Sequence, residues 1–311
     1  MMLFAAIDIG SNAGRLYFAN VYEHEEGNYT EKASLVRIPL RLGEDSFKSG
    51  KISEEKIGNL IKTLKAFKLL IEVYQPISYM ACATAAMREA KNNTEVVERI
   101  KNETGIDLEV ISGMEEARIV GASNNVSLSR DYDIAMYIDV GGGSTEISVV
   151  SKQHQIVASN SFKIGTLRML NDNNLDKEWE DLKKWLKEIK KEYGRIYIIG
   201  SGGNINKINK LYGTKPGDIV SGKALINGYE QLKAMSIAQR IEELGIRPDR
   251  ADVIVPAAHI FMTIMKWTDV DSVYVPKIGL SDGLIQILYR NHKGNLNNPQ
   301  VVKLKEVKFT L

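Results

Sequence analysis

Two short segments of the chain place a carboxylate at the end of an apolar run, with glycine close behind it. The first is Asp8-Ile9-Gly10-Ser11-Asn12; the second is Asp139-Val140-Gly141-Gly142-Gly143-Ser144-Thr145. Glycine lets the backbone curl so that successive N–H groups face one concavity, which suits phosphate oxygens. Ser and Thr hydroxyls add donors, and an Asp at the strand end can hold a divalent cation directly or through water. One such turn alone reads as an ordinary hairpin. Two of them, with Asp in the same place, point to a shared duty.

Three further segments carry chemistry-bearing side chains. Ser112-Gly113-Met114-Glu115 has the spacing of a capping box, which gives Glu115 a structural task. Glu116 has no such task and can take a proton from an attacking water; the plain alternative is a solvated Glu at a helix start. Arg88 closes Ala83-Thr84-Ala85-Ala86-Met87-Arg88, just after an apolar strand, where a guanidinium suits phosphate. A surface Arg is the plain alternative. Gly200-Ser201-Gly202-Gly203-Asn204 is a third Gly-rich strand end, serving either a nucleotide or only a turn. The four His residues are scattered and form no ligand set. Cys82 is the single cysteine, which excludes an internal disulfide framework and a Cys-based zinc site.

These residues need elements to hold them. Strands are expected at Leu3–Ile9, Leu16–Tyr22 and near Ala33–Leu42. A helix is expected from the Ser53 N-cap to Pro76, with Ile57, Leu60, Ile61, Leu64, Phe67 and Ile71 on one face. Strand Ile77–Cys82, helix Thr94–Glu103, strand Leu108–Ile111 and the helix opened by Ser112 follow. Near residue 134 the pattern restarts, with strands Ile134–Val140, Ile147–Val150 and Ile156–Phe162, helix Glu178–Lys191 and strand Ile196–Ile199. The rest is mostly helical up to a strand at Ser272–Val275. Alternating strands and helices indicate an α/β protein. The restart suggests two similar domains, with a boundary in the polar stretch 123–132.

Composition sets the limits. The chain has 311 residues, enough for two domains, each with its own core. Its 41 Lys+Arg against 39 Asp+Glu give a net charge of +2, which argues against a DNA-coating protein. No segment reads as a signal peptide or a membrane span, so a cytoplasmic protein without a membrane partner is expected. Lys303, Lys305 and Lys308 read as a solvated basic tail.

Taken in order, these motifs resemble the exopolyphosphatase / guanosine pentaphosphate phosphohydrolase family of the actin–sugar kinase–heat-shock ATPase superfamily. Asp8 to Leu16 resembles its first phosphate loop. Arg41-Leu42-Gly43-Glu44 and Gly50-Lys51-Ile52-Ser53 resemble the segment that follows in the first domain. Ala83 to Arg88 is similar to the segment with its phosphate-binding arginine, and Ser112 to Arg118 to its catalytic-glutamate motif. Asp139 to Glu146 is similar to its second phosphate loop, and Lys163 to Arg168 to its Gly-x-x-Arg segment. Two segments depart from the family pattern: Gly202-Gly203-Asn204, where Gly-Gly-Thr is usual, and Ser281-Asp282-Gly283, where Arg-Glu-Gly is common.

The resemblance implies two duplicated RNase H-like, actin-like domains with a cleft between them. They would span 1–124 and 125–311, with the last residues packing back on the first domain. It implies hydrolysis of a terminal phosphoanhydride, with Glu116 as general base. Ser11, Asn12, Arg15, Arg88, Gly141, Gly142, Gly143, Ser144 and Thr145 would bind phosphate, and Asp8, Asp139 and Glu146 would hold Mg2+. The implied substrate is inorganic polyphosphate or a phosphorylated guanine nucleotide, and a homodimer is common among members. Two other functions compete: a kinase of the same superfamily, and a sensor that binds a polyphosphorylated nucleotide without turnover.

Overall fold

The computed structural model describes residues 1–294 apart from 26, 123–131, 154, 172–173 and 215–217. The expected domain boundary falls almost wholly outside the described residues, as do His154 and the three tail lysines. The chain forms two compact units, Met1–Ser123 with the segment from Leu280 on, and Asn124–Gly279.

Unit 1 begins with β1 (Met2–Ile9), β2 (Ala13–His24) and β3 (Gly27–Pro39), followed by α1 (Leu42–Ser49) and α2 (Glu54–Tyr74). It continues through β4 (Ser78–Ala83), α3 (Ala85–Glu89), α4 (Asn93–Thr104), β5 (Glu109–Val110) and α5 (Gly113–Ala122). Its sheet runs β3-β2-β1-β4-β5, with β1–β2 and β2–β3 antiparallel and β1–β4 and β4–β5 parallel. The third strand lies earlier than the expected Ala33–Leu42, because β2 runs on to His24 and turns straight into β3.

Side chains alternate across β1, as the period of two requires. Ala5, Ile7 and Ile9 join a core with the buried stripe of α2 and with Val96 and Ile100 of α4. Phe4 and Ala6 face the other way, and Asp8 shares their face. The Ser53 side chain accepts from the Lys56 N–H to cap α2, and Gln75 ends that helix in a left-handed conformation just before Pro76. Full burial of each Leu or Ile on the α2 stripe stabilises the unit by roughly 1.5–3 kcal/mol.

Unit 2 repeats the plan. It holds β6 (Ile134–Val140), β7 (Thr145–Ser151), β8 (Ile156–Phe162), α6 (Thr166–Asn171), α7 (Asp176–Tyr193), β9 (Ile196–Ser201) and α8 (Gly203–Tyr212). Next come β10 (Ile219–Ser221), α9 (Gly222–Ala234), α10 (Ile237–Glu242), α11 (Pro248–Ala251), α12 (Ile254–Thr268) and β11 (Ser272–Tyr274). The sheet runs β8-β7-β6-β9-β11-β10. Read outward from β6, its first five strands have the order and directions of unit 1; β10 is an added antiparallel edge. Its main core joins Ile134, Met136 and Ile138 to α7, α8, α9 and the apolar α12, with Trp179 and Trp185 packed against it.

The last described helix, α13 (Leu280–Gly294), belongs to unit 1. Leu280, Leu284, Ile285 and Leu288 cover Phe4, Ala6, Met80 and Cys82 on the second face of the unit 1 sheet, beside Ile119 and Val120 of α5.

Candidate functional site

In unit 1 the first loop is a tight turn closed by Gly10 N–H to the Ala13 carbonyl at 3.1 Å. The register sets Asp8 opposite Arg15, and their side chains form an ion pair at 2.6 Å. Asp8 is buried and Arg15 is one-third exposed. The backbone that leaves β3 props the loop from behind. Leu40 and Arg41 both donate N–H to the Asn12 carbonyl, and Gly43 donates to that of Ser11. Arg41 adopts a left-handed backbone (φ 49°), and Glu44 holds its guanidinium. Lys56 in turn donates to Glu44 at 2.8 Å. Burial opposes the charge of Glu44, but the bonds from Lys56 and Arg41 outweigh it and hold the carboxyl below its usual range.

The second half of unit 1 delivers Arg88 and Glu116. Ser112 and Glu115 form the expected reciprocal cap, with Glu115 N–H to Ser112 Oγ at 3.1 Å and Ser112 N–H to Glu115 Oε2 at 2.7 Å. That cap fixes the first turn of α5 and leaves Glu116 pointing inward, only 6% exposed. Arg88, on the short α3, donates to the Ile111 carbonyl at 2.8 Å and meets Glu116 Oε2 at 3.3 Å. Cys82 lies beside Asp8 in the sheet register. Burial first, then the charges of Asp8, Glu116 and Glu109, push its thiol well above the usual value. Asp8 and Glu116 therefore flank one buried thiol, each with an arginine as counter-ion.

In unit 2 the same turn is closed by Gly141 N–H to the Ser144 carbonyl at 2.9 Å. The position that Arg15 takes in unit 1 is taken here by Glu146, directly opposite Asp139. Glu146 is 2% exposed and accepts from Ser161 Oγ at 2.9 Å. The loop is clamped from behind by the turn into α6. Thr166 N–H donates to Gly141 O, and those of Leu167 and Arg168 donate to Gly142 O. Buried Arg168 donates its Nε–H to Gly143 O at 2.8 Å, and Thr145 Oγ1 donates to Ile164 O at 2.6 Å. A Cβ on Gly165 would stand 2.5 Å from both Gly142 O and Ser144 N, so only glycine allows this approach. Gly202, with φ +97°, leaves room beside Asp139: a Cβ there would stand 2.7 Å from Asp139 Oδ1.

The structure thus pairs Asp8 with Arg15, Arg88 with Glu116, and Asp139 with Glu146. Asp8, Ser11, Asn12, Arg15, Arg88 and Glu116 belong to unit 1; Asp139, Gly141, Gly142, Gly143, Ser144, Thr145 and Glu146 belong to unit 2. Sequence reasoning gave no role to Ser161, Arg41 or Arg168. The Gly165-x-x-Arg168 spacing was the available signal for the last. Among the described residues, no group of three or more His, Cys, Asp or Glu side chains is gathered to hold a metal ion. Two hard oxygen donors, Asp139 and Glu146, nevertheless share one sheet face with room left by Gly202, and they suit a small divalent cation.

Two sheets of one strand order, each with its turn after the first strand, make a duplicated α/β fold. Several solved structures share it over almost the full chain. The crystal structure of the Aquifex aeolicus Ppx/GppA family member superposes with a TM-score of 0.73, at 26% identity, covering 94% of this chain and 99% of that one. The sequence model of the Ppx/GppA phosphatase family matches residues 21–292, and the chain belongs to that family. Exopolyphosphatase 1 of Mycobacterium tuberculosis is 27% identical over 303 residues, which cover 91% of this chain and 87% of the relative. The guanosine-5'-triphosphate,3'-diphosphate pyrophosphatase of Vibrio parahaemolyticus is 26% identical over 305 residues, covering 91% of this chain and 58% of the relative. No helix among the described residues is long and apolar enough to cross a membrane.

Proposed function

We propose that the protein hydrolyses the terminal phosphoanhydride of inorganic polyphosphate. The buried Glu116, oriented by the Ser112 cap and held at Arg88, is the observation that carries this reading. A carboxylate set beside a guanidinium can orient a water and accept its proton as the water attacks in line. Arg15 and Arg88 would meet charge on phosphoryl oxygens, and within each unit the loop backbone, with Ser11 and Asn12 in unit 1 and Ser144 and Thr145 in unit 2, would offer donors to phosphate. Phosphoryl transfer depends mainly on positioning and charge stabilisation, so this set suffices. Asp139 and Glu146 would hold a magnesium ion, which when bound neutralises charge on the phosphate chain. Asp8 already faces Arg15, so the metal assignment rests on the unit 2 pair.

Guanosine pentaphosphate hydrolysis is the second reading, carried by the 26% identity to the Vibrio enzyme. Phosphate release from polyphosphates of graded length, against guanosine pentaphosphate, with magnesium present, tests the substrate. Release from polyphosphate is expected to exceed release from the nucleotide. Binding without release from either would point to a sensor instead. Glu116→Gln is expected to lower kcat by roughly 10²–10⁴-fold while binding largely survives; unchanged turnover would remove Glu116 from the base role.

A further inference from the structure

Lys56 is the third residue of α2, where the positive end of the helix dipole disfavours a cation. Helix stability alone does not account for it there, and the structure shows what it holds instead. Its ammonium donates to the Arg41 carbonyl and to Glu44 Oε2, the latter at 2.8 Å, and meets Asp45 Oδ1 at 3.4 Å. The three donors of a lysine thus meet three acceptors. The side chain is 17% exposed, so the cluster is shielded from most of the solvent. Its partners are fixed in turn: Glu44 also accepts from Arg41 Nε, and Asp45 Oδ2 accepts from the Ser53 N–H at 3.0 Å. Ile57, the next residue, and Leu60 anchor α2 in the core.

The Arg41 carbonyl belongs to the segment that props the first loop. The Leu40 and Arg41 N–H groups donate to the Asn12 carbonyl at 3.1 and 2.9 Å, and the Gly43 N–H donates to that of Ser11 at 2.9 Å. Arg41 has φ 49° and ψ 40°, a left-handed backbone that an arginine keeps only where its surroundings hold it. A chain of contacts therefore runs from the core helix α2, through Lys56 and Arg41, to the carbonyls of Ser11 and Asn12.

We propose that Lys56 is a positioning residue for the Ser11–Asn12 loop: it locks the Arg41 backbone and so fixes the donors that the loop offers to phosphate. The proposal rests on the reading of that loop as a phosphate site. Lys56 itself needs no contact with substrate. An apolar side chain here would remove the cation shared by Glu44 and Asp45 and the hold on the Arg41 carbonyl. The loop would then leave its binding geometry more often, and each binding event would carry the cost of ordering it again.

The test uses the full chain with Lys56→Met, Glu44→Gln and the double variant. Lys65→Met is the control, because it removes another ion pair of α2, between the exposed Lys65 and Glu103 at 3.1 Å. With magnesium saturating, Lys56→Met is expected to raise KM for phosphate release from polyphosphate by roughly 10-fold, with kcat within about twofold of the parent, since Glu116 and Arg88 are untouched. The double variant is expected to raise KM by less than the product of the single effects, because the two residues share one bond; the full product would separate them and overturn the tie. Lys65→Met is expected to change neither constant.

A second readout is independent of turnover. Amide hydrogen exchange at Leu40, Arg41 and Gly43, the donors to the loop, is expected to accelerate in Lys56→Met without substrate and to keep the parent rate in Lys65→Met. A lowered melting temperature with unchanged KM and unchanged exchange would overturn the proposal, leaving Lys56 a plain stabiliser. Faster exchange with unchanged KM would overturn it too, and so would a raised KM with unchanged exchange, which would mean that Lys56 acts on substrate directly. A parent protein that releases no phosphate while the exchange rates still move would sink the hydrolase reading and leave the bracing of the loop standing.

Discussion

In the β1–β2 hairpin the carboxylate at the strand end faces a guanidinium; in the β6–β7 hairpin the residue in the same register is a second carboxylate. The turns between the strands are closed by the same backbone hydrogen bond, and both are propped from behind by the chain that follows the third strand. What differs is the charge the scaffold presents. Asp8–Arg15 is an ion pair whose arginine is partly exposed. Asp139 and Glu146 set two carboxylates side by side, the pair proposed above to take a cation. One backbone plan is thus used twice, with the sign of charge changed at one position of the pair.

The largest expected effect comes from unit 2. Glu146→Gln should lower kcat at limiting magnesium by roughly 10²-fold, with partial recovery as magnesium is raised. An unchanged magnesium titration would mean that the two hairpins do not divide the charges this way. Next comes Arg15→Gln, which leaves the buried Asp8 without its cation. Breaking a buried pair costs about 3–5 kcal/mol, but Arg15 is one-third exposed and water would screen part of that loss, so a destabilisation of about 1–3 kcal/mol is expected by denaturant titration. The magnesium requirement should not change in this variant.

Supporting glycines sharpen the comparison further. Gly165→Ala would press a methyl group into the backbone of the unit 2 loop, and about 1–3 kcal/mol should be lost. Gly14→Ala in unit 1 meets only the Leu40 and Ile9 side-chain ends, at 3.0 and 3.1 Å, which can shift; about 1 kcal/mol or less is expected. Equal losses in both would show that the loops are propped with equal stiffness.

The smallest effect is a pH dependence confined to unit 2. Burial first, and the nearby Lys233 second, depress the pKa of His259 below its ordinary 6.5. Its neutral form is the one the fold accommodates. Unit 2 should therefore keep its full stability above about pH 6.5 and weaken as pH falls through the lower, folded value. Glu44 in unit 1 is also depressed, but from 4.5, so the corresponding loss begins at a lower pH. Melting curves between pH 7 and 5 should show His259→Gln flattening the dependence; an unaltered slope would assign the loss to other groups.

Much of the site could be read before any coordinates. The two Asp-bearing turns stood out because they follow apolar strands and share one spacing, and the cap at Ser112 separated Glu115 from Glu116 by position alone. The α2 stripe followed from its period. What stayed hidden were contacts that no local pattern encodes. Ser161 reaches Glu146 from the next strand, and Arg168 reaches back to Gly143 O across the whole β7–β8 hairpin. Arg41 is held by Glu44 and Lys56 through a left-handed residue that composition does not announce. Helix α13 itself shows an apolar stripe, but a stripe does not say which sheet it will cover.

The return of α13 to unit 1 has a consequence for how the protein is made. The ribosome delivers β1 to α5 first, yet the face bearing Phe4, Ala6, Met80 and Cys82 has its cover only once residues from Leu280 on have been synthesised. Unit 2 is contiguous and can complete itself in the meantime. The half of the molecule that carries Glu116 is thus begun first and finished last, and a nascent chain stalled before Leu280 would leave that apolar face open to aggregation or chaperone binding.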